Sequence, residues 1–188
     1  MRISLPSMLL LIFSVFGGAP VLAETATTDR CGVLPQQEFS LLHRSETRNL
    51  CQAYAGRVIL VVNTASRCGY TPQLGTLETL YNRLQKRGFT VLGFPSDDFN
   101  QELEQEEDIA SFCKINYGVT FPLFGKSSVR GASANPLYQQ LIAGSGESPR
   151  WNFHKYLLDR QGQVQAVFPS STRPDDPKLV AAIEALLD

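Results

Sequence analysis

Four cysteines, Cys31, Cys51, Cys68 and Cys113, are the residues of this 188-residue chain best suited to covalent chemistry, and no two of them form a Cys-x-x-Cys pair. Cys68 has the most informative surroundings. A fully apolar run at 58–62, Val-Ile-Leu-Val-Val, leads into Asn63-Thr64-Ala65-Ser66-Arg67-Cys68-Gly69-Tyr70-Thr71. After Pro72 come Leu74, Leu77, Leu80, Tyr81 and Leu84 at the three-to-four-residue spacing of one helical face. The pattern predicts a strand, a turn of small residues, and a cysteine where a helix starts. The first turn of a helix leaves backbone N–H groups unpaired and carries the positive end of the dipole, which favours a thiolate, the nucleophilic form of cysteine. Cys68 is therefore the candidate nucleophile; the alternative is a small buried packing residue.

The elements around Cys68 must hold partners to it. Gly88 stops the helix, and 89–94 reads as a second buried strand ending at Pro95. Strand, helix, strand in this order predicts a right-handed parallel unit, in which the loops after the strands' carboxyl ends carry the site. Cys68 and the loop at 96–102 fall at that edge. Glu106, Glu107 and Asp108 open a helix with Ile109, Phe112 and Cys113 inward, and acids there complement the dipole. Residues 121–124 form a short extended piece, and Asn135-Pro136 starts a small helix through Ile142. A hairpin follows, 151–158 and 163–168 around the turn Asp159-Arg160-Gln161-Gly162. Asp176-Pro177 then starts a closing helix with Leu179, Val180, Ile183, Leu186 and Leu187 inward. The element order is that of an α/β chain with the thioredoxin fold and an insertion: a central mixed sheet flanked by helices. Residues 24–57 give only short packed pieces around Phe39, Leu41, Leu42 and Leu50.

Composition places these elements in one domain. With 43% hydrophobic and 19% charged residues the chain can bury a sizeable core, and a net charge of -1 points away from a nucleic-acid surface. At the N-terminus, Arg2, the apolar stretch 8–16 and Val21-Leu22-Ala23 have the order of a secretory signal peptide cleaved after Ala23. The alternative is an uncleaved anchor, but the run is short for a bilayer span. The expected organisation is a signal peptide at 1–23 and a single domain at 24–188, exported to the periplasm or secreted, with no stable membrane insertion after cleavage. In such a compartment Cys31 and Cys51 could staple the N-terminal segment, contributing roughly 3 kcal/mol in the chain-entropy account. Cys68 and Cys113 would remain as a second, functional pair.

Four blocks carry a resemblance. Residues 63–71 as given above, Leu92-Gly93-Phe94-Pro95, Phe121-Pro122-Leu123-Phe124 and Trp151-Asn152-Phe153-His154-Lys155-Tyr156-Leu157 resemble the signature blocks of the glutathione peroxidase family in its cysteine form. The resemblance runs from about Arg57 to the C-terminus and leaves Cys31 and Cys51 outside. It implies a thioredoxin fold and reduction of hydrogen peroxide or organic hydroperoxides, with Cys68 as the peroxidatic cysteine that becomes a sulfenic acid. Trp151 and Asn152 match the tryptophan and asparagine of the family's catalytic tetrad. An indole N–H and an amide can donate to charge developing on sulfur and on the departing oxygen. Without the resemblance, Trp151, the only tryptophan, reads as a core or hairpin residue. The tetrad glutamine matches Gln101 only with a one-residue gap, and Ser96 replaces a cysteine of many relatives.

Cys113 falls within about one residue of the resolving cysteine of cysteine-type relatives. That role implies a Cys68–Cys113 disulfide, reduced by a thioredoxin-like protein or glutathione as co-substrate, with no bound cofactor and no metal. Disulfide-linked Cα atoms lie within about 7 Å, so the helix carrying Cys113 would have to unfold locally. The segment between Phe124 and Trp151 lacks the long insertion by which relatives form tetramers, and a monomer is expected. Two rival readings share the fold. An exported thiol–disulfide oxidoreductase would need a second cysteine near Cys68, where Thr71 stands three residues on. A copper chaperone would need clustered soft ligands, whereas His43 and His154 are isolated in sequence.

Overall fold

The computed structural model describes Met1 and residues 30–188; the expected signal peptide lies outside the described residues. The chain from 57 onward is built on two strands whose every residue is buried, β3 (Val58–Thr64) and β4 (Phe89–Pro95). Strands buried on both faces read as continuous apolar runs, which is what parallel pairing between helices demands. β3 and β4 pair in parallel, with Val58 opposite Phe89 and Thr64 opposite Pro95. β3 also pairs antiparallel with β5 (Lys155–Leu158), and β5 with β6 (Val164–Phe168), so the four-stranded order is β4-β3-β5-β6.

Each face of this sheet has its own core. Val58, Leu60, Val62, Phe89, Val91 and Leu157 pack under α2 (Gln73–Leu84), α3 (Glu106–Tyr117) and α5 (Pro177–Leu187). Ile59, Val61, Leu92, Phe94, Tyr156 and Leu158 pack under α1 (Leu50–Tyr54) and α4 (Pro136–Ser145). The starts of α4 and α5 follow their sequence signals: Asn135 accepts from the Tyr138 N–H and Asp176 from the Lys178 N–H, each followed by proline. No helix among the described residues is long and apolar enough to cross a membrane.

The weakly patterned N-terminal stretch is ordered by pairing. β1 (Glu38–Ser40) and β2 (Thr47–Asn49) make a small antiparallel hairpin, and α1 follows at once, capped by Asn49. Cys31 and Cys51 are disulfide-linked with Cα atoms 5.1 Å apart. The bridge pins residues 31–34 to α1, and Val33 N–H donates to Gly162 O at 2.9 Å, tying the segment to the β5–β6 turn.

Two expectations need correction. Cys68 does not sit in the first turn of a helix: α2 starts at Gln73, five residues on. Successive turns fill the gap, with Thr71 N–H donating to Cys68 O, Gln73 N–H to Tyr70 O and Leu74 N–H to Thr71 O. The Thr71 hydroxyl closes the first of them, donating to Ala65 O and accepting from Cys68 N–H. Nor does the last hairpin begin at Trp151. Residues 151–154 form a turn and β5 starts only at Lys155, because Phe153 adopts φ 64, which a strand cannot accommodate.

Candidate active site

The parallel register brings the ends of β3 and β4 side by side, so the loops that leave them meet. Ser96 N–H donates to Thr64 O, and Arg67 N–H, beside Cys68, donates to Gln101 O at 2.9 Å. Glu102 fastens the same two loops through its side chain: Oε1 accepts from Ser66 N–H at 2.9 Å and from Leu103 N–H at 2.8 Å. Burial raises the Glu102 carboxyl above the usual carboxylate range, against the lowering effect of its bonds to Ser66 and Leu103.

A third segment is delivered from across the sheet. Asn63, fully buried at the end of β3, donates from Nδ2 to Trp151 O at 3.1 Å and accepts His154 N–H on Oδ1 at 3.0 Å. Its backbone carbonyl accepts Phe153 N–H at 2.7 Å. The turn 151–154 is thus bracketed by one residue. Asn152, buried within it, donates from Nδ2 to Gln101 Oε1 at 3.0 Å. Trp151 is 41% exposed, with its ring centroid 5.2 Å from that of Phe99, over which the Arg130 guanidinium sits at 4.6 Å.

The sequence-predicted residues are distributed as follows. Gln101 and Asn152 are in contact, and Trp151 adjoins them. Cys68 is buried in the neighbouring loop, its Sγ 3.4 Å from Tyr70 N–H. A cleft of about 570 Å³ runs between Tyr70 and Trp151, with Arg150, His154, Val167 and Ser170 in its walls. Cys113 is buried on α3 in the same hydrophobic cluster as Cys68, and both thiols are free. Burial first, and the Glu102 charge second, push the Cys113 thiol up to about 12. His43 lies in an exposed turn far from His154 in the fold, its N–H on Glu106 Oε2. Among the described residues no group of three or more His, Cys, Asp or Glu is placed to hold a metal.

Asn63, Thr71, Glu102 and Lys155 escaped the sequence reading as parts of this site. Asn63, Thr71 and Lys155 stand in the quoted blocks without a role attached, and Asn63 left a further signal, a polar residue closing an otherwise apolar strand.

What the arrangement can do follows from its donors. Tyr70 N–H meets a sulfur, and Asn152 holds the Gln101 carbonyl, which leaves the Gln101 NH₂ as a donor for a bound oxygen. Trp151 offers its indole N–H from an accessible position. A thiol, N–H donors on the loops beside it and a cleft walled by Tyr70 and Trp151 are the means to reduce a small oxygen-bearing substrate.

Comparisons with known proteins agree. The sequence profile of the family described as Glutathione peroxidase matches residues 37–142. Hydroperoxy fatty acid reductase gpx1 of Synechocystis sp. is 48% identical over 145 residues, covering 71% of this chain and 85% of that protein. Glutathione peroxidase-like peroxiredoxin gpx1 of Schizosaccharomyces pombe is 49% identical over 125 residues, 64% of this chain and 79% of that protein. The solved apo-form structure of Trgpx superposes with a TM-score of 0.65 at 32% identity, covering 83% of this chain and 95% of the other.

Proposed function

The chain belongs to the glutathione peroxidase family, and from that premise we propose that it reduces hydroperoxides with the thiolate of Cys68 and is regenerated through Cys113. It is an oxidoreductase of the thiol peroxidase type, with a thiol reductant as co-substrate and no prosthetic group. The Cys68 thiolate attacks one peroxide oxygen, the O–O bond breaks, and the sulfur takes up that oxygen as a sulfenic acid while the other leaves as alcohol or water. Tyr70 N–H supports the negative sulfur, and the Gln101 amide and Trp151 indole donate to the oxygens as charge develops. Asn152 acts by orienting Gln101. The Cys113 thiol then displaces water from the sulfenic acid to give a Cys68–Cys113 disulfide, and a thioredoxin-like dithiol or glutathione reduces it.

The observation that carries this reading is the Asn152–Gln101 contact formed across two loops beside the Cys68 turn. The name of the Synechocystis relative supports fatty acyl hydroperoxides among the substrates. The Cys31–Cys51 bridge supports export, with residues 1–23 as signal peptide and 24–188 as one domain, acting as a monomer in the periplasm or outside the cell.

The test is stopped-flow Trp151 fluorescence of reduced protein mixed with hydrogen peroxide and cumene hydroperoxide, followed by mass mapping of cysteine pairs. A fast phase lost in Cys68→Ser, and a second phase lost in Cys113→Ser that ends in a Cys68–Cys113 link, is expected. Reaction no faster than that of a free thiol would sink the assignment.

A further inference from the structure

We propose that Lys155 is a positioning residue for peroxide reduction: through the Phe153 carbonyl its side chain locks the turn that presents Trp151 and Asn152. The inference rests on the reading that those two residues serve the reacting centre.

Lys155 is fully buried in β5, and its Nζ donates to Phe153 O at 2.7 Å. No carboxylate among the described residues pairs with it. Opposite it in the sheet stand Val62 and Phe168, both apolar. Strand alternation puts it on the face of Leu157, whose cluster includes Cys68. A lysine is almost never buried without a partner, because desolvating the ammonium is costly. Methionine would fill the same space with no such cost, so packing does not account for a lysine here. What methionine lacks is a donor able to reach back two residues.

That donor meets a strained backbone. Phe153 holds φ 64, a left-handed conformation that a side-chain-bearing residue adopts only under strain. Asn63 secures Trp151 O, Phe153 N–H and His154 N–H, and the Phe153 carbonyl is left to Lys155. If Phe153 relaxed to an ordinary φ, the chain ahead of it would swing and Asn152 would leave Gln101.

The ammonium also links the turn to pH. Burial pushes the Lys155 amine down to about 7. Burial is the one cause of that shift, and the titratable neighbour in sequence is His154, the last residue of the turn, which feels Glu147, Lys155 and Arg150 and which burial holds neutral, down to about 4.

The experiment compares full-length reduced wild type with Lys155→Met, Trp151→Phe and Asn152→Ala. The second-order rate constant for hydrogen peroxide, followed by trapping the remaining thiol, falls roughly tenfold to a hundredfold in Lys155→Met, because a small misplacement of catalytic donors costs that much. Circular dichroism and the melting temperature at pH 7 are retained. In a Cys68→Ser background, Trp151 emission titrates near pH 7 with Lys155 present and is flat in Lys155→Met, which a merely space-filling lysine would not produce. A rate within about twofold of wild type for Lys155→Met, beside impaired Trp151→Phe and Asn152→Ala, overturns the proposal alone. Unimpaired Trp151→Phe and Asn152→Ala overturn the reading of the site and the proposal with it.

Discussion

Cys68 and Cys113 are buried in one hydrophobic cluster, yet their neighbours differ. Cys68 has a backbone N–H on its sulfur, whereas Cys113 has the Glu102 charge near it and a thiol pushed up to about 12. Cys113 is thus held protonated in the closed helix, and the proposed resolving role requires α3 to open. Glu102 enforces both halves of this arrangement, since it also ties the Cys68 loop down through Ser66 N–H. Glu102→Gln keeps an acceptor oxygen but removes the charge. It should accelerate disulfide formation, the second fluorescence phase, by roughly three- to tenfold, since burial is the larger cause of the Cys113 shift and remains. Folding stability in urea at pH 7 should be held or rise, because burial, the largest cause of the Glu102 shift, disfavours the charge that the amide removes. A second phase that is unchanged or slower would contradict the role. Sequence pointed to the proposed reacting residues more readily than to the groups packed around them. Cys68, Trp151 and Asn152 stand in recognisable blocks and Gln101 needed a gap, while Glu102 was only the end of a loop and Lys155 only a member of the last block with no role attached. Nothing in their local pattern reveals that tertiary structure buries them.

At the scale of elements, periodicity located the strands and helices of the sheet because burial imposes it there. It failed where side-chain hydrogen bonds override the period. Thr71 replaces the first turn of α2 with a chain of turns, and Asn63 with Lys155 replaces the first residues of β5 with a left-handed turn. The N-terminal strap was equally hidden, because it is held by contacts distant in sequence. Its seat is a pair of glycines. Gly32 (φ +50) and Gly162 (φ +71) approach so closely that a Cβ on Gly32 would collide with the backbone of Gly162 and Gln161. Gly56 has a similar φ of +83 with nothing within reach of a Cβ. Gly56→Ala should therefore cost only the left-handed strain, about 1 kcal/mol, whereas Gly32→Ala should cost about 2–4 kcal/mol by adding a backbone collision. Equal losses in urea denaturation would mean that the strap does not dock on the hairpin turn.

For the whole molecule, buried titrating groups set where in pH the fold is most stable. The folded chain holds the Lys155 proton less tightly than the unfolded chain, with a value near 7 against 10.5. Between those limits the unfolded state binds more protons, so the free energy of unfolding rises with pH, by roughly 5 kcal/mol in all. His154, at about 4 against 6.5, adds a rise in the same direction over the acidic range. Cys113 acts oppositely: its folded value near 12 exceeds its unfolded 9.0, so stability falls as pH climbs through that interval. The opposing slopes overlap between about pH 9 and 10.5, which places the optimum on the alkaline side. Urea titrations of the reduced Cys68→Ser protein at half-unit intervals from pH 5 to 10 should show stability climbing through neutrality. Lys155→Met should remove the rise above pH 7, and His154→Phe the rise below it, each leaving the other slope intact. A flat profile in wild type would mean that these groups are hydrated in solution, and that the lysine holding the Trp151 turn is not the dry ammonium its burial implies.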